Sequence, residues 1–193
     1  MSIGFYDENA EDFFARTKDL PPLPQLARFT ALLPPGGRVL DAGCGSGRDA
    51  RLFRQMGFQV TATEAAPRLA ALASGHAGVQ VLVKRFDEMA WREAFDGVWA
   101  CASLLHIGRR ELVDAVGRLR DALVPGGALF MSFKYGSGER EADDRRFTDL
   151  DEAGAAALLA KVGGLALLES EVTGDIRPDK AQERWLSLLA KRA

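Results

Sequence analysis

Beyond residue 37, short apolar runs alternate with segments whose apolar residues recur at helical spacing. The run at 79–86 is rich in β-branched residues, and continuously apolar runs are typical of strands buried on both faces. In the longest helical segment, Leu112, Val116, Leu119 and Leu123 form one stripe. The pattern predicts strands at 38–43, 58–65, 79–86, 95–103 and 128–136, and helices at 48–56, 67–74 and 109–123.

The segments on either side of this alternation follow other patterns. Residues 8–18 and 25–33 predict two helices separated by a proline-rich break. Thr148 opens a T-x-x-D pattern that resembles a capping box for the helix that follows. Residues 165–173 and 183–192 then predict an antiparallel hairpin on the sheet edge, although periodicity alone equally allows a helix for the second.

Alternating strands and helices predict an α/β fold, a Rossmann-like doubly wound sheet that is mostly parallel with an antiparallel edge strand. The length of 193 residues suits one domain. We expect residues 1–24 to form an N-terminal helical cap. We also expect 136–148 to form a lid loop, because this polar segment follows the fifth strand, at the edge where open sheets bind ligands.

Composition argues against several classes of function. The net charge is −2 and no basic block stands out, which argues against a long nucleic-acid footprint without excluding RNA. Cys44 and Cys101 form no C-x-x-C pair, so we expect no metal site. No apolar run reaches the roughly 20 residues of a membrane span, and the first 15 residues are too acidic for a signal peptide. We therefore expect a cytoplasmic protein.

The loop after the first predicted strand carries the main chemical signal. Its Gly43, Gly45 and Gly47 alternate with small residues, so the backbone can approach a ligand closely. The dinucleotide fingerprint G-x-G-x-x-G would place its third glycine at Arg48, and the Gly-Lys-Ser/Thr of a phosphate loop is absent. The carboxylate of Asp41 would repel a phosphate but suits a ligand with an ammonium group.

A second acidic residue narrows the choice of ligand. Glu64 ends the second predicted strand, where a carboxylate can accept two hydrogen bonds from a ribose diol. A ligand that combines a ribose and an ammonium group and lacks phosphate is S-adenosyl-L-methionine. We therefore predict this cofactor, with Asp41 and Glu64 among its contacts.

The order of the motifs resembles that of class I S-adenosylmethionine-dependent methyltransferases over about residues 5–136. V-L-D-A-G-C-G-S-G is similar to motif I of that family, and Glu64 stands at its acidic ribose-binding position. Phe86-Asp87 resembles the position where an aspartate commonly faces the adenine amino group. Residues 95–106 resemble motif IV with its following loop, and residues 123–127 resemble the turn before the fifth strand. Residues 6–14 resemble the opening of small-molecule and tellurite-resistance-type members.

The resemblance implies the class I methyltransferase fold and a set of site residues. The predicted cofactor contacts are Asp41, Gly43, Cys44, Gly45, Gly47, Arg48, Glu64, Ala65, Phe86, Asp87 and Ala102. The predicted acceptor contacts are Tyr6, Lys134, Tyr135, Arg145 and Arg146. Guanidinium groups at 145 and 146 would suit an anionic acceptor. His106 is the candidate catalytic base, and a structural role in shaping the pocket is its alternative.

The predicted reaction is the transfer of a methyl group to a small-molecule acceptor by direct displacement. Three alternatives stay open: an RNA or protein methyltransferase, a non-catalytic S-adenosylmethionine-binding protein, and a nicotinamide oxidoreductase with a variant glycine loop. Arg48 at the third glycine position argues against the last. The acceptor atom and the oligomeric state are not indicated by the sequence.

Overall fold

A computed structural model describes residues 2–177, 180 and 182–193. The helices are α1 (Ser2–Glu8), α2 (Ala10–Thr17), α3 (Pro24–Thr30), α4 (Arg48–Gln55), α5 (Pro67–Ala77), α6 (Arg109–Ala122) and α7 (Glu152–Val162). The strands are β1 (Arg38–Ala42), β2 (Gln59–Glu64), β3 (Val81–Val83), β4 (Phe95–Ala100), β5 (Leu123–Lys134), β6 (Gly138–Ala142), β7 (Arg145–Asp149), β8 (Leu165–Gly174) and β9 (Arg184–Arg192). Within these described ranges, none of the helices combines the length and apolarity needed to cross a bilayer.

In the described part of the chain, seven strands form one sheet in the order β3-β2-β1-β4-β5-β9-β8. The strands from β3 to β5 pair in parallel, whereas β9 pairs antiparallel with both β5 and β8. The chain runs outward from β1 in both directions, and open α/β sheets bind ligands at such a switch point. The predicted fold class is therefore confirmed, and residues 183–192 form a strand rather than a helix.

Aromatic packing holds α3 and α4 against the sheet. The buried Trp99 of β4 stacks on Phe130 of β5, with ring centroids 3.9 Å apart. Phe29 of α3 and Phe53 of α4 contact the same indole ring. Large aromatic side chains dominate the energetics of such cores. This packing positions the first turn of α4, and with it the glycine loop that precedes it.

Several boundaries differ from the predicted ones. The strand predicted at 79–86 is reduced to β3, and a 3₁₀ turn follows at Phe86–Glu88. The glycine-rich turn at 125–127 does not precede β5 but lies within it, where the pairing of β4 with β5 changes register. Bulges of this kind interrupt a ladder without ending the strand.

The predicted capping box at Thr148 is wrong. Thr148 lies in β7, and its hydroxyl donates a hydrogen bond to the carbonyl of Ile107 (2.7 Å). The N-cap of α7 is Asp151, whose side chain accepts a hydrogen bond from the amide of Gly154 (2.7 Å). Threonine and aspartate are both good N-caps, so the cap is decided by where the extended backbone of β7 ends.

The segment predicted as a lid loop forms a hairpin instead. Strands β6 and β7 pair antiparallel from Gly138 opposite Asp149 to Ala142 opposite Arg145. The turn between them contains Asp143 and Asp144, both with positive φ (50° and 56°). Aspartate tolerates this left-handed conformation better than most residues. Backbone pairing therefore makes this segment more regular than its polar sequence indicated.

The N-terminal segment packs against α5. The side chain of Asp7 accepts a hydrogen bond from the amide of Arg68 (2.7 Å), and the Arg68 guanidinium pairs with Glu11 (2.8 Å). An exposed ion pair contributes little, so apolar contacts around the buried Ala10 and Leu69 hold the segment in place. Helices therefore form within residues 1–24 as predicted, except that Met1 lies outside the described residues; their role as a cap stays a prediction.

Candidate active site

A cavity of about 1110 Å³ opens at the carboxyl ends of β1, β2, β4 and β5. The loop after β1 forms one end, and the hairpin β6–β7 with the segment after β8 forms the other. Pockets for one small molecule usually measure about 300–1,000 Å³. This cavity therefore has room for a cofactor together with a small acceptor.

All three glycines of the loop adopt positive φ: 78° at Gly43, 56° at Gly45 and 76° at Gly47. A Cβ at Gly43 would lie 2.5 Å from the Cβ of Ser103, and one at Gly47 would lie 2.9 Å from the carbonyl oxygen of Ala73. The first and third glycines are thus required by packing against neighbouring segments. The loop serves the fold as well as any ligand that approaches it.

We expect Gly43→Ala to lower the free energy of unfolding by about 2–4 kcal/mol, because the added methyl group overlaps Ser103 and the left-handed backbone disfavours alanine. Urea denaturation measures the change. The matched control is Gly75→Ala in α5, where an added Cβ has no neighbour within 4 Å. In a helix this second substitution should stabilise by up to about 1 kcal/mol. Equal stability of Gly43→Ala and wild type would contradict the packing at this loop.

Asp41, at the end of β1, is 2 % exposed, and its Oδ2 atom has no hydrogen-bond partner among the described residues. Burial raises the pKa of this carboxyl well above its usual value, and the nearby Asp49 raises it further. The Arg48 guanidinium and the Ala50 amide act in the opposite direction. An unpaired buried carboxylate is costly. A ligand with an ammonium group at this position would remove that cost.

Arg48 lines the cavity, but its guanidinium is held by its neighbour. Its Nε and Nη2 atoms donate to the two carboxylate oxygens of Asp49 at 2.7 and 2.8 Å. Asp49 also accepts a hydrogen bond from Nε1 of Trp99 (2.8 Å). One edge of the Arg48 guanidinium is therefore committed to Asp49, while its Nη1 donors are not used in that pair, so the contact of Arg48 with the cofactor stays a prediction. Asp49 was missed in the sequence because acidic residues are common in the first turn of any helix.

Glu64 joins the end of β2 to the glycine loop. Its Oε2 accepts a hydrogen bond from the amide of Gly45, and its Oε1 accepts one from the amide of Ala66, both at 3.0 Å. Burial raises the pKa of Glu64, while these amides and that of Ala65 lower it. Each carboxylate oxygen keeps a second lone pair for a ligand. This geometry suits the two hydroxyl groups of a ribose.

The 3₁₀ turn after β3 forms another part of the wall, with Phe86 and Asp87. Asp87 is bound by the guanidinium of Arg85 through contacts of 2.9 and 2.5 Å, and this hydrogen bonding lowers the pKa of its carboxyl. The side chains of both partners are more than half exposed, and exposed pairs exchange partners at little cost. Asp87 can thus still turn to a ligand amino group.

Three more predicted cofactor contacts, Cys44, Ala65 and Ala102, also line the cavity, whereas Gly47 is not among its lining residues and packs against Ala73 and Ala77 instead. Burial raises the pKa of the Cys44 thiol, which therefore does not act as a thiolate. Ala102 follows β4 with a φ of 52°, and its amide donates to the hydroxyl of Ser132 (2.8 Å). Strained non-glycine residues of this kind cluster at functional sites.

Tyr6 and His106 meet across the cavity although 100 positions separate them. The Nδ1 atom of His106 lies 2.8 Å from the carbonyl oxygen of Arg146, and its Nε2 lies 2.9 Å from the Tyr6 hydroxyl. A carbonyl only accepts, so Nδ1 carries the proton and Nε2 accepts the hydrogen bond from Tyr6. Burial lowers the pKa of His106 to about 4. The imidazole is neutral and occupied, which supports the structural alternative over a general base.

The lowered pKa of His106 predicts a loss of stability in acid. In the unfolded chain its pKa is 6.5, against about 4 in the fold, so between these values the unfolded state binds the extra proton. The free energy of unfolding therefore falls as the pH falls from 6.5 towards 4. We expect His106→Gln to remove up to about 3 kcal/mol of this pH dependence. Urea denaturation of both proteins at several pH values measures it, and identical slopes would contradict the assignment.

The predicted acceptor contacts divide into two groups. Tyr6, Lys134, Arg145 and Arg146 line the cavity. Tyr135 does not; its hydroxyl donates to Glu152 (3.0 Å), and the Arg184 guanidinium lies 4.4 Å from its ring centroid. Successive side chains of an extended chain point to opposite faces, so the residue after Lys134 points away from the cavity. The structure therefore does not place Tyr135 at the acceptor.

Some cavity residues were missed by the sequence reasoning. Phe13 reaches the glycine loop, where a Cβ at Gly45 would lie 3.3 Å from its ring. From the C-terminal hairpin, Asp175 accepts hydrogen bonds from Arg177 (2.5 Å) and from Nε1 of Trp185 (2.9 Å). No local pattern marks Asp175, because only the insertion of β9 beside β5 brings its segment to the site.

Part of the chain is similar in sequence to known methyltransferases. Residues 39–127 match a family model described as a methyltransferase domain. The ubiquinone biosynthesis O-methyltransferase of Xanthomonas axonopodis pv. citri is 38% identical over 109 residues, covering 52% of this chain and 44% of that protein. The protein of the same name from Xanthomonas campestris pv. campestris (strain B100) is 35% identical over 105 residues, covering 51% and 43%. The chain thus spans less than half the length of these curated relatives.

Solved structures share the fold at low sequence identity. The 1,6-didemethyltoxoflavin-N1-methyltransferase of Burkholderia thailandensis, bound to 1,6-didemethyltoxoflavin and S-adenosylhomocysteine, has a TM-score of 0.82 at 24% identity, covering 100% of this chain and 87% of that one. The magnesium protoporphyrin IX methyltransferase of Synechocystis PCC 6803 has a TM-score of 0.76 at 16% identity, covering 100% and 98%. A cyclase has a TM-score of 0.67 at 22% identity, covering 87% and 78%.

Residues 39–127 therefore match a methyltransferase domain, in agreement with the family that the motifs indicated, and the chain as a whole shares the fold of the class I S-adenosylmethionine-dependent methyltransferases.

Proposed function

We propose that this chain binds S-adenosyl-L-methionine and directs the transfer of its methyl group to a small-molecule acceptor. The observation that carries the proposal is the buried carboxylate of Asp41, whose Oδ2 has no partner among the described residues. It lies beside the glycine loop to which Glu64 is hydrogen-bonded. An unpaired buried acid beside a diol-binding acid matches a ligand with an ammonium group and a ribose.

The residues at this end of the cavity bind and orient. Asp41 would accept hydrogen bonds from the ammonium group, and Glu64 would accept them from the ribose hydroxyls. Phe86 and Asp87 would bound the base. When bound, S-adenosylmethionine would supply an electrophilic methyl carbon: an acceptor lone pair would form the new bond to this carbon, and the thioether sulfur would leave with the electrons of the broken bond.

At the acceptor end the chain supplies alignment rather than strong base catalysis. His106 is neutral and already accepts the Tyr6 hydroxyl hydrogen, so neither group is free to remove a proton. Positioning of two reactants alone can lower a barrier by about 7–11 kcal/mol. The walls formed by α1 and the hairpin β6–β7 would exclude water and hold the acceptor in line with the methyl carbon.

The size of the cavity and the names of the relatives favour a small acceptor. The relatives described above are called ubiquinone biosynthesis O-methyltransferase and 1,6-didemethyltoxoflavin-N1-methyltransferase, names that refer to small molecules. An RNA or protein acceptor and a non-catalytic binding role are the alternatives. The cyclase of the same fold illustrates that fold alone does not decide the reaction. A cytoplasmic location remains part of the proposal.

Isothermal titration of the purified chain with S-adenosylmethionine, with NADH for comparison, tests the first half of the proposal. We expect micromolar binding of the former and none of the latter. Methyl incorporation from labelled S-adenosylmethionine into a metabolite extract, compared with total RNA and protein, tests the second half. Binding of NADH instead would refute the cofactor assignment. Binding without methylation of any fraction would favour the non-catalytic alternative, and methylation of RNA or protein alone would replace the small-molecule acceptor.

A further inference from the structure

Three positive side chains converge on one aromatic ring at the acceptor end of the cavity. Phe147 of β7 is 4 % exposed, and its ring centroid lies 4.5 Å from Cζ of Arg140, 5.1 Å from Nζ of Lys134 and 5.2 Å from Cζ of Arg145. We call these four residues the Phe147 cluster. Like charges held this close repel one another, so the arrangement favours an anion nearby.

The protein neutralises the three charges unequally. Lys134 pairs with Glu183, whose side chain is largely covered. Arg140 pairs with Asp149 at 2.6 Å, and the Asp149 carboxylate is also mostly buried. The only carboxylate that pairs with Arg145 in the described part of the chain is that of Asp143, whose side chain is 76 % exposed; the hydroxyl of Tyr6, also near the guanidinium, is uncharged. An exposed pair is weak and readily exchanged, so Arg145 is the least neutralised member of the cluster.

The guanidinium of Arg145 is also held in place by aromatic rings, and its Nε–H donor has no acceptor among the described residues. Phe5 lies 4.5 Å from its Cζ on one side and Phe147 lies 5.2 Å away, so aromatic rings fix its position. Its side chain is 22 % exposed, and its Nε atom is buried without a hydrogen-bond partner among the described residues. A buried N–H donor without an acceptor is costly. An anionic oxygen of a ligand would remove that cost.

Aromatic rings form the cavity wall near the Nε–H donor of Arg145. The rings of Tyr6 and His106 meet at 5.3 Å, and that of His106 meets Phe147 at 5.1 Å. The Tyr6 hydroxyl and both nitrogens of His106 are used in hydrogen bonds within the protein. These residues therefore offer ring surface to a ligand more than hydrogen-bond donors. Ring surfaces of this kind favour stacking or edge contacts with another flat molecule.

We propose that the methyl acceptor is a flat, conjugated molecule with an anionic oxygen group, and that Arg145 of the Phe147 cluster binds this group. The aromatic rings of Tyr6 and His106 hold its plane, and Lys134 and Arg140 add long-range attraction. This inference rests on the proposed function and specifies the class of its acceptor. The anionic group is the part of the acceptor that the protein grips; the atom that receives the methyl group is a separate one.

The test uses a pair of flat probes that differ only in charge, 4-hydroxybenzoate and 4-hydroxybenzamide. Each is titrated into the full chain with and without saturating S-adenosylhomocysteine. We expect the carboxylate to bind about tenfold more tightly than the amide, because a charge-assisted hydrogen bond replaces a neutral one. This preference should shrink as the salt concentration rises.

Arg145→Met removes the guanidinium and keeps the aliphatic stem, and it should reduce the preference to less than about twofold. The matched control is Arg92→Met. Arg92 is an exposed arginine shortly before β4; it pairs with Asp121 and lies outside the cavity lining. This control variant should bind both probes like wild type. If Arg145→Met fails to fold, Arg145→Lys is the second variant: it keeps the charge but loses the Nε–H donor, and it should lose most of the preference.

Equal binding of the two probes to the wild-type chain would overturn the proposal, and so would absence of binding by both. A preference that persists in Arg145→Met and in Arg145→Lys would overturn the role of Arg145. Failure of S-adenosylhomocysteine to bind counts against the proposed function alone. In that case the titrations without S-adenosylhomocysteine still decide whether the Phe147 cluster binds a flat anion.

Discussion

Asp41→Ala should weaken the binding of S-adenosylmethionine by about 100-fold or more while leaving the chain folded. The carboxylate is buried, and one of its oxygens has no partner among the described residues, so a charged hydrogen bond to an ammonium group would form away from water. Such bonds contribute about 1.5–3 kcal/mol each, and more where water is excluded. Isothermal titration measures the affinity, and circular dichroism checks the fold.

The buried carboxylate of Asp41 should lower the stability of the cofactor-free chain at neutral pH. Its folded pKa is raised above the unfolded value, so stability is lost as the pH rises from the ordinary aspartate range through the folded pKa. Asp41→Asn keeps the shape without the charge, and we expect it to raise the melting temperature by about 2–4 °C or more. Asp12→Asn on the exposed face of α2 is the control and should change neither property. Normal affinity in Asp41→Ala, or a lower melting temperature in Asp41→Asn, would contradict this account.

Glu64→Ala should weaken cofactor binding on the order of 100-fold, since two ribose hydrogen bonds and the tether of the glycine loop are lost together. The carboxylate holds the amides of Gly45 and Ala66, both at 3.0 Å, so the loop would also become less ordered. A ribose contact is similar in the ground state and the transition state. We therefore expect KM for the cofactor to rise with little change in kcat.

A ligand series separates the ribose contact from a general loss of order. The wild-type chain should bind S-adenosylhomocysteine more tightly than its 2′-deoxy analogue. Glu64→Ala should bind both equally weakly, whereas Glu64→Gln, which keeps one acceptor oxygen, should retain part of the preference. If Glu64→Ala still discriminates between the two ligands, Glu64 supports the loop without contacting the ribose.

Much of the cofactor end of the site follows from local sequence. Strands buried on both faces appear as continuous apolar runs, and the carboxyl ends of parallel strands lie on one edge. The positions of Asp41 and Glu64 near the carboxyl ends of two predicted parallel strands therefore place them at the same edge of the sheet. The sequence also predicted the glycine loop at this position. It did not show that close contacts with neighbouring segments give Gly43 and Gly47 a packing role.

The hydrogen-bond partners of individual side chains could not be predicted from the sequence. Arg48 was predicted to contact the cofactor, and the sequence did not show that one edge of its guanidinium binds Asp49, which in turn binds Trp99 from a strand 50 positions away. Tyr135 was predicted at the acceptor, but strand alternation turns it to Glu152. An arginine or tyrosine near a site looks the same in sequence whether its polar group is free or already bonded, because its partners come from distant segments.

The sequence by itself determined the α/β fold, the location of the site at the ends of the parallel strands, and the two acids and three glycines of the predicted cofactor end. These features depend on spacing within a few residues and on the fixed direction of parallel strands. Only the tertiary structure decided the features of the proposed acceptor end: the hydrogen bond of Tyr6 with His106, the hairpin β6–β7 and the Phe147 cluster. Their residues lie far apart in sequence, and it is the packing of α1, β5 and the hairpin around one cavity that brings them into contact.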